Sequence, residues 1–398
     1  MLNIEETKNY RFSFFHLGFR PFFLLAGLFA LISMLIWASL YSSNNFLPVG
    51  NALSTINWHA HEMLYGYTFA VIAGFLLTAI RNWTGELTLN GIPLLLLALL
   101  WFFARLAPFI NHPNALMAMA IFDLGFNLAL FFTVLQPIIK VKQWKQTGLA
   151  LIVLLLSLSN LLFYLGLFNQ LDTGITWSLY SGIYLTIFLI MLMGRRVIPF
   201  FIEKGVDENF SANNYQWLDI GIIILMPLFW ISDIFLEYSV FSAYIALLLF
   251  LFNALRLHGW YSAGIWRKSL LWILYIAYAW ITAAFGLKAA GLWLSINPML
   301  TIHAFTFGGI GLMTLGMMAR VALGHTGRNV FEPPTILKWI FISAIAGSIV
   351  RVLLPLFVPQ FYSLWISLSQ ILWIISFGFF VFIYAPILYK PRIDGKYG

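Results

Sequence analysis

Twelve apolar runs of about 20 residues recur along this sequence and constrain its fold more than any other feature. A run of this length can cross the hydrocarbon core of a bilayer as an α-helix. Only 9% of the residues are charged, whereas soluble domains carry about 25%. We therefore expect an all-α fold, a polytopic transmembrane helical bundle of about twelve spans. The predicted spans cover residues 20–41, 59–80, 91–109, 114–138, 147–168, 174–196, 216–236, 239–257, 268–293, 298–322, 335–357 and 361–388.

The distribution of lysine and arginine predicts the orientation of the chain. With the N-terminus in the cytoplasm, 19 of the 22 Lys and Arg residues lie on the cytoplasmic side, as the positive-inside rule requires. Both termini are thus predicted to be cytoplasmic. The net charge of +8 follows from this bias, and we expect no nucleic-acid partner. Connections are short and the halves share no evident repeat, so residues 1–398 are expected to form a single integral membrane domain.

The chain contains no cysteine. This excludes disulfides, cysteine-ligated iron–sulfur clusters and covalent c-type haem attachment. Any metal must be held by His, Met, Tyr or carboxylate side chains, and any haem must be a non-covalent b-type haem.

Three histidines are predicted to share one depth in the outer half of the membrane. His59 and His61 open the second span, and His303 lies near the start of the tenth. Residues at i and i+2 of a helix point almost oppositely, so His59 and His61 either serve different centres, or one ligates while the other forms a hydrogen bond. Glu62 lies three residues after His59, where it could orient a ring or carry protons. The alternative is a set of interface histidines bound to their neighbours.

Three basic residues depart from the positive-inside rule: Arg105, Lys288 and Arg351. They lie near the outer ends of their spans, level with the histidines. Haem carries two propionates, which arginine can bind through two hydrogen bonds, so these residues are candidates for holding a cofactor. The alternative is that they extend to the lipid headgroups. Asp123, inside the fourth span, is expected to pair with a base, relay protons or bond to a helix neighbour.

On the cytoplasmic side, Arg20 and Arg320 are further candidates for cofactor binding, and His325 is a candidate metal ligand. A second haem or an anion site there would use these residues. Ordinary positive-inside topology explains most of this basic surface equally well.

Five blocks of sequence carry a family likeness, in order, from one end of the chain to the other. They are Gly18-Phe19-Arg20-Pro21-Phe22-Phe23, Trp58-His59-Ala60-His61-Glu62-Met63, Gly74-Phe75-Leu76-Leu77-Thr78-Ala79 with Asn82-Trp83-Thr84-Gly85, Gly194-Arg195-Arg196-Val197-Ile198-Pro199-Phe200-Phe201, and the run from His303 to Arg328. Taken together, these blocks resemble the NnrS family over essentially the whole chain.

The resemblance implies a multi-pass protein of the bacterial inner membrane that contains haem and copper. It implies a role in nitric oxide metabolism or protection from nitrosative stress, in a denitrification setting, with nitric oxide as ligand or substrate. The family's motif histidines correspond here to His59, His61, His303 and His325. Glu62 or Asp123 could deliver protons if nitric oxide is reduced, with electrons from an unknown donor. The sequence leaves open whether the protein is a nitric oxide reductase-like oxidoreductase or binds nitric oxide without turnover.

A twelve-helix secondary transporter without redox metal is the alternative function. Its helix count fits the sequence. Transporters, however, place functional charges near the bilayer midplane between paired repeats, whereas the unusual polar residues of this chain are predicted to lie in the outer half.

Overall fold

A computed structural model describes residues 13–43, 53–206, 210–235 and 240–398. Within these ranges the regular structure is helical throughout, and 12 helices are long and apolar enough to cross a membrane. Each overlaps one predicted span, so the predictions of an all-helical fold and of about twelve spans are confirmed. The helices are α1 Phe19–Ser42, α2 Thr55–Thr84, α3 Gly91–Phe109, α4 Ala115–Lys140, α5 Trp144–Leu167, α6 Gly174–Val206, α7 Gln216–Phe235, α8 Val240–Trp260, α9 Ser269–Ala290, α10 Pro298–His325, α11 Leu337–Phe357 and α12 Pro359–Tyr389. The predicted orientation of the termini stays a prediction.

The contacts between residues divide the chain into two compact units. The first contains Met1–Ser157, Met318–Pro333 and Phe377–Gly398, and the second contains Leu158–Met317 and Pro334–Ser376. The first unit thus contains α1 to α4, the first part of α5 and the C-terminal parts of α10 and α12. The second contains the rest of α5, α6 to α9, most of α10, α11 and the N-terminal part of α12. The single integral membrane domain expected from the sequence stays a prediction.

Local signals fix both ends of α2 and α10. Ser54 and Asn297 precede the two helices, and each side chain accepts a backbone N–H of the first turn, which satisfies a donor that has no partner inside the helix. Gly85 and Gly327 follow the two helices with φ of 74° and 77°. This left-handed backbone conformation ends a helix at little cost only when the residue is glycine.

The most deeply buried helices are also α2 and α10. In their most apolar windows 89% and 78% of the residues are buried, whereas the other ten helices range from 39% to 61%. Both helices widen into π-helical segments, Glu62–Thr68 and Ala304–Gly311. Such segments are rare and are often found at functional sites. Each begins directly after a candidate ligand, His61 or His303, which directs attention to these two places.

Glycine allows α1 and α2 to approach closely. A Cβ atom at Gly74 would lie 2.8 Å from two ring carbons of Phe23, a side chain of α1 that is fully buried. The ring has no free space into which it could move, because protein interiors are close-packed.

We predict that Gly74→Ala destabilises the protein by about 1–3 kcal/mol, the usual cost of overpacking. Gly148→Ala in α5 is the matched control, since a Cβ there meets no atom within 4 Å and alanine favours a helix. Thermal unfolding in detergent measures both variants. Equal melting temperatures for the two variants would contradict the close approach of α1 and α2.

Candidate functional site

Four ionisable side chains from three helices meet in the interior of the first unit. They are His61 and Glu62 of α2, Arg105 of α3 and Asp123 of α4, and each side chain is at most 3% exposed. Arg105 Nη1 lies 3.0 Å from Glu62 Oε2, and Arg105 Nη2 donates to Asp123 Oδ1. We call these four residues the charge cluster.

The imidazole ring of His61 lies between the two carboxylates of the charge cluster. Its Nδ1 is 3.0 Å from Glu62 Oε1, and its Nε2 is 3.3 Å from Asp123 Oδ2. Ionised carboxylates only accept hydrogen bonds, so a ring that satisfies both donates from both nitrogens and is protonated. Two positive and two negative charges then cancel. The cluster thus holds one proton that can lie on the ring or on a carboxylate without adding net charge to the interior.

The π-helical segment explains how two neighbouring residues reach the same cluster. In a regular α-helix, adjacent side chains point about 100° apart. At Glu62 the helix widens, and Glu62 contacts the ring of the preceding residue, His61. In the sequence, Glu62 lies three residues after His59, where it could orient a ring or carry protons; the ring that it contacts is that of His61. Within this segment, the Gly66 carbonyl oxygen also accepts from Trp101 Nε1 at 2.9 Å.

His59 lies in different surroundings from His61. Its ring stacks on Trp37 of α1, with ring centroids 4.4 Å apart and planes 9° from parallel. The i, i+2 spacing predicted that the two rings would not share one ion, and this stays a prediction.

His303 lies in the second unit at the end of the first α-helical turn of α10. Its Nδ1 is 2.7 Å from the carbonyl oxygen of Met299, so Nδ1 carries the proton and donates. The lone pair of Nε2 accepts from Arg351 Nη2 at 3.2 Å. Metal-ligating histidines commonly donate their other ring N–H to a backbone carbonyl in this way. The neutral tautomer of His303 therefore suits a metal ligand better than the ring of His61, both of whose nitrogens face carboxylates.

The three basic residues predicted to be near the outer side have different partners. Arg105 contacts Glu62 and Asp123, and Lys288 Nζ lies 2.7 Å from Asp233 Oδ1. Arg351 donates to Tyr362 Oη at 3.4 Å, and its guanidinium group lies 5.5 Å from the centre of that ring. Within the described part of the chain, Arg351 has no carboxylate partner.

Lys288 borders a cavity of about 180 Å³ in the second unit. The carboxylate of Asp233 joins Lys288 to the hydroxyl group of Tyr184, which donates to Asp233 Oδ2. Tyr184 and Phe305 also line the cavity. Sequence reasoning missed Asp233 and Tyr184, although a carboxylate inside a predicted span was a signal that could have found Asp233.

The candidates expected on the cytoplasmic side belong to the first unit. Arg20 is fully buried and donates to the carbonyl oxygens of Leu388 and Lys390, both at 2.7 Å, and to Gly398 at 2.9 Å. Its hydrogen bonds thus attach the C-terminal segment to α1. The ring of His325 lies 5.6 Å from that of Phe19, and Arg320 is 8% exposed.

Beyond the last span, Arg392 binds two groups of the first unit. It donates to the carbonyl oxygen of His325 at 2.9 Å and to both carboxylate oxygens of Asp394. The hydrogen bonds from Arg392 hold the pKa of the Asp394 carboxyl well below its ordinary value.

Among the residues that the structure describes, no three His, Cys, Asp or Glu side chains are arranged to hold a metal ion. The roles of His59, His61, His303 and His325 as ligands therefore stay predictions, as do the cofactor-binding roles of the basic residues.

We predict that Arg105→Gln destabilises the protein by about 3–5 kcal/mol, because it leaves two buried carboxylates with a single counter-charge. Lys140→Gln is the control, since Lys140 is 64% exposed in its pair with Glu86 and such pairs contribute about 0–1 kcal/mol. Denaturant titration in detergent compares the two variants. Similar losses in both would show that the charge cluster is not a balanced unit.

Comparison with known proteins agrees with the motif likeness. A family model described as NnrS protein matches residues 13–392 of the 398, whereas no individual curated protein matches the sequence. The match includes all five helices that contribute the charge cluster and the His303–Arg351 pair. The chain is therefore a multi-pass membrane protein that belongs to the NnrS family.

Proposed function

We propose that this protein binds haem and copper in the bacterial cytoplasmic membrane and acts in nitric oxide metabolism or nitrosative-stress protection. The family match over residues 13–392 carries the link to nitric oxide. It gives no support to the alternative of a secondary transporter. The proposal includes a metal centre near the outer side of the membrane that binds nitric oxide, and reduction of nitric oxide there with electrons from a donor still to be identified.

His303 is the side chain whose surroundings best fit the haem ligand. Its Nδ1–H is fixed on the Met299 carbonyl oxygen, so Nε2 would be the ligating atom once it exchanges its hydrogen bond from Arg351 for the metal. A bound haem supplies an iron that can bind nitric oxide and exchange electrons with it. The role of the protein is to orient the ring and to exclude competing ligands.

The other histidines are proposed as ligands on the family likeness. His59 and His325 each lie against an aromatic ring. His61 would have to release Glu62 or Asp123 before one of its nitrogens could bind a metal. Copper enters the proposal from the family alone, because the described residues contain no group of three suitable ligands.

The charge cluster supports a role for Glu62 and Asp123 in holding protons. Both carboxylates contact His61, so a proton can move between the ring and either acid within hydrogen-bond distance. Reduction of nitric oxide consumes protons, and a buried group that keeps one without net charge could supply them. Arg105 pairs with both acids through its two terminal nitrogens.

We expect protein purified in mild detergent from haem-replete cells to show the Soret band of a non-covalent haem. His303→Ala should lower the haem content by about tenfold or more, because mutating even the partner of a metal ligand typically costs 10- to 100-fold in affinity and this variant removes the ligand itself. His112→Ala is the control, since His112 is exposed. Absorbance with metal analysis gives both quantities.

Added imidazole distinguishes two causes of haem loss in His303→Ala, the missing ligand and an unfolded protein. If the residue is a ligand, imidazole should restore haem binding in the variant, whereas a merely unfolded variant should not respond. Wild-type protein without a Soret band would sink the proposal. Unchanged haem content in His303→Ala would remove this residue from it.

A further inference from the structure

The sequences of α2 and α10 share a spacing that is visible once their π-helical segments are superposed. The pattern is His-x4-Gly-x7-Gly-x9-Thr-Gly, where x is any residue. In α2 it comprises His61, Gly66, Gly74, Thr84 and Gly85, and in α10 it comprises His303, Gly308, Gly316, Thr326 and Gly327. No repeat between the halves of the chain was evident from the sequence; the shared spacing instead links two spans that lie eight apart.

The equivalent residues have equivalent structural roles. Both π-helical segments begin at the residue after the histidine. A Cβ at Gly66 or Gly308 would lie 2.7 Å or 2.6 Å from an aromatic ring of the helix before, α1 or α9. Both threonines donate to the carbonyl oxygen four residues earlier, and both terminal glycines adopt positive φ. Coincidence of spacing alone would not produce these shared contacts.

The repeat continues into the following helices through their arginines. Arg105 follows Gly85 by 20 residues and Arg351 follows Gly327 by 24, so the connection is four residues longer in the second case. Each arginine contacts the histidine region of its own copy, Arg105 at Glu62 and Arg351 at His303. We call α2 with α3 the first copy, and α10 with α11 the second copy.

The two copies differ in what lies between arginine and histidine. In the first copy, Glu62 pairs with Arg105 through one carboxylate oxygen and faces His61 with the other. The equivalent residue of the second copy is Ala304, directly after His303. There the guanidinium group contacts the imidazole ring itself, at 3.2 Å. Arg351 is only 8% exposed. Its described partners are the uncharged ring of His303 and the hydroxyl group of Tyr362.

We propose that the second copy is a carboxylate-binding site, in which Arg351 and Tyr362 receive from outside the chain the anion that Glu62 provides in the first copy. A buried guanidinium without an anion is costly within a membrane and commonly marks a functional site. Its planar pair of N–H groups matches a carboxylate. The partial exposure of His303 leaves a path to the site. Binding of the anion releases the His303 Nε2 lone pair from Arg351.

The carboxylate has two possible sources, a small free anion or a propionate of haem. The chemistry at Arg351 is the same for both. The site therefore does not depend on the proposed function, and a protein that never binds haem would still be expected to bind a free carboxylate there.

The test begins with full-length protein produced without haem and titrated with sodium acetate. Acetate should raise the melting temperature of the wild type in a saturable way, since a ligand that binds the folded state stabilises it. Arg351→Gln should weaken this response by about tenfold or more. Lys142→Gln, an exposed loop variant, should respond as the wild type does, which controls for general salt effects.

Exchanging the distinguishing residue between the copies provides a second test. Ala304→Glu places a carboxylate beside Arg351 and should abolish the acetate response. Glu62→Gln is the matched control in the first copy: Arg105 keeps its pair with Asp123 there, so the acetate response should stay that of the wild type. The proposal is overturned if wild-type protein shows no saturable response, or if Arg351→Gln responds as wild type does.

Haem and its dimethyl ester, in which both propionates are esterified, distinguish the two sources. If a propionate is the natural ligand, loading with haem should remove the acetate response, and loading with the ester should leave it intact. If a free anion is the ligand, the response should persist with either. Both outcomes support a carboxylate site at Arg351.

Discussion

Charge neutrality in a low-dielectric interior determines how this protein can place ionisable groups among apolar helices. An isolated charge at the depth of a bilayer is expensive, and a pair repays this cost only if its geometry satisfies both partners. In the charge cluster, Arg105 and protonated His61 balance Glu62 and Asp123, and every one of these side chains has a partner of opposite charge. Three helices must adopt fixed positions for this to hold. The cluster therefore specifies the packing of α2, α3 and α4 as much as it stabilises them.

A π-helical segment makes this arrangement possible, and the same backbone feature is found at the second candidate centre. A π turn uses an extra residue, so it re-aims the side chains beside it without ending the helix. At Glu62 this change directs two consecutive polar residues into one cluster. At Ala304 the same change follows His303, where the helix instead presents a single imidazole ring with a fixed tautomer. A π-helical segment thus adjoins a buried, neutral charge cluster in one unit and the half-buried His303 in the other.

Sequence reasoning predicted the spans well because hydrophobic length is a local property that a single helix expresses by itself. It also identified Arg105 and Asp123 as costly charges, and they prove to be partners. It did not predict the contact between Glu62 and His61, because it assumed a regular helix where the helix widens. It missed the pairing of Lys288 with Asp233 because residues on separate helices reveal no distance in sequence. The repeat was missed because only five spaced residues survive, eight spans apart, and a longer connection shifts Arg351 out of register.

The two copies differ in whether the chain itself supplies an anion for the arginine. In the first copy the acid is part of the chain, so Arg105 stays paired under all conditions that keep Glu62 and Asp123 ionised. In the second copy the alanine at position 304 leaves Arg351 beside a neutral ring. A neutral imidazole is a weak partner for a guanidinium group, so any carboxylate that reaches the site competes successfully for it. The arginine and the histidine then act on different groups, because Arg351 binds the anion in place of the His303 Nε2 lone pair. The first copy has Glu62 where the second has Ala304. The proposed site at Arg351 is therefore complete only when a ligand supplies the carboxylate.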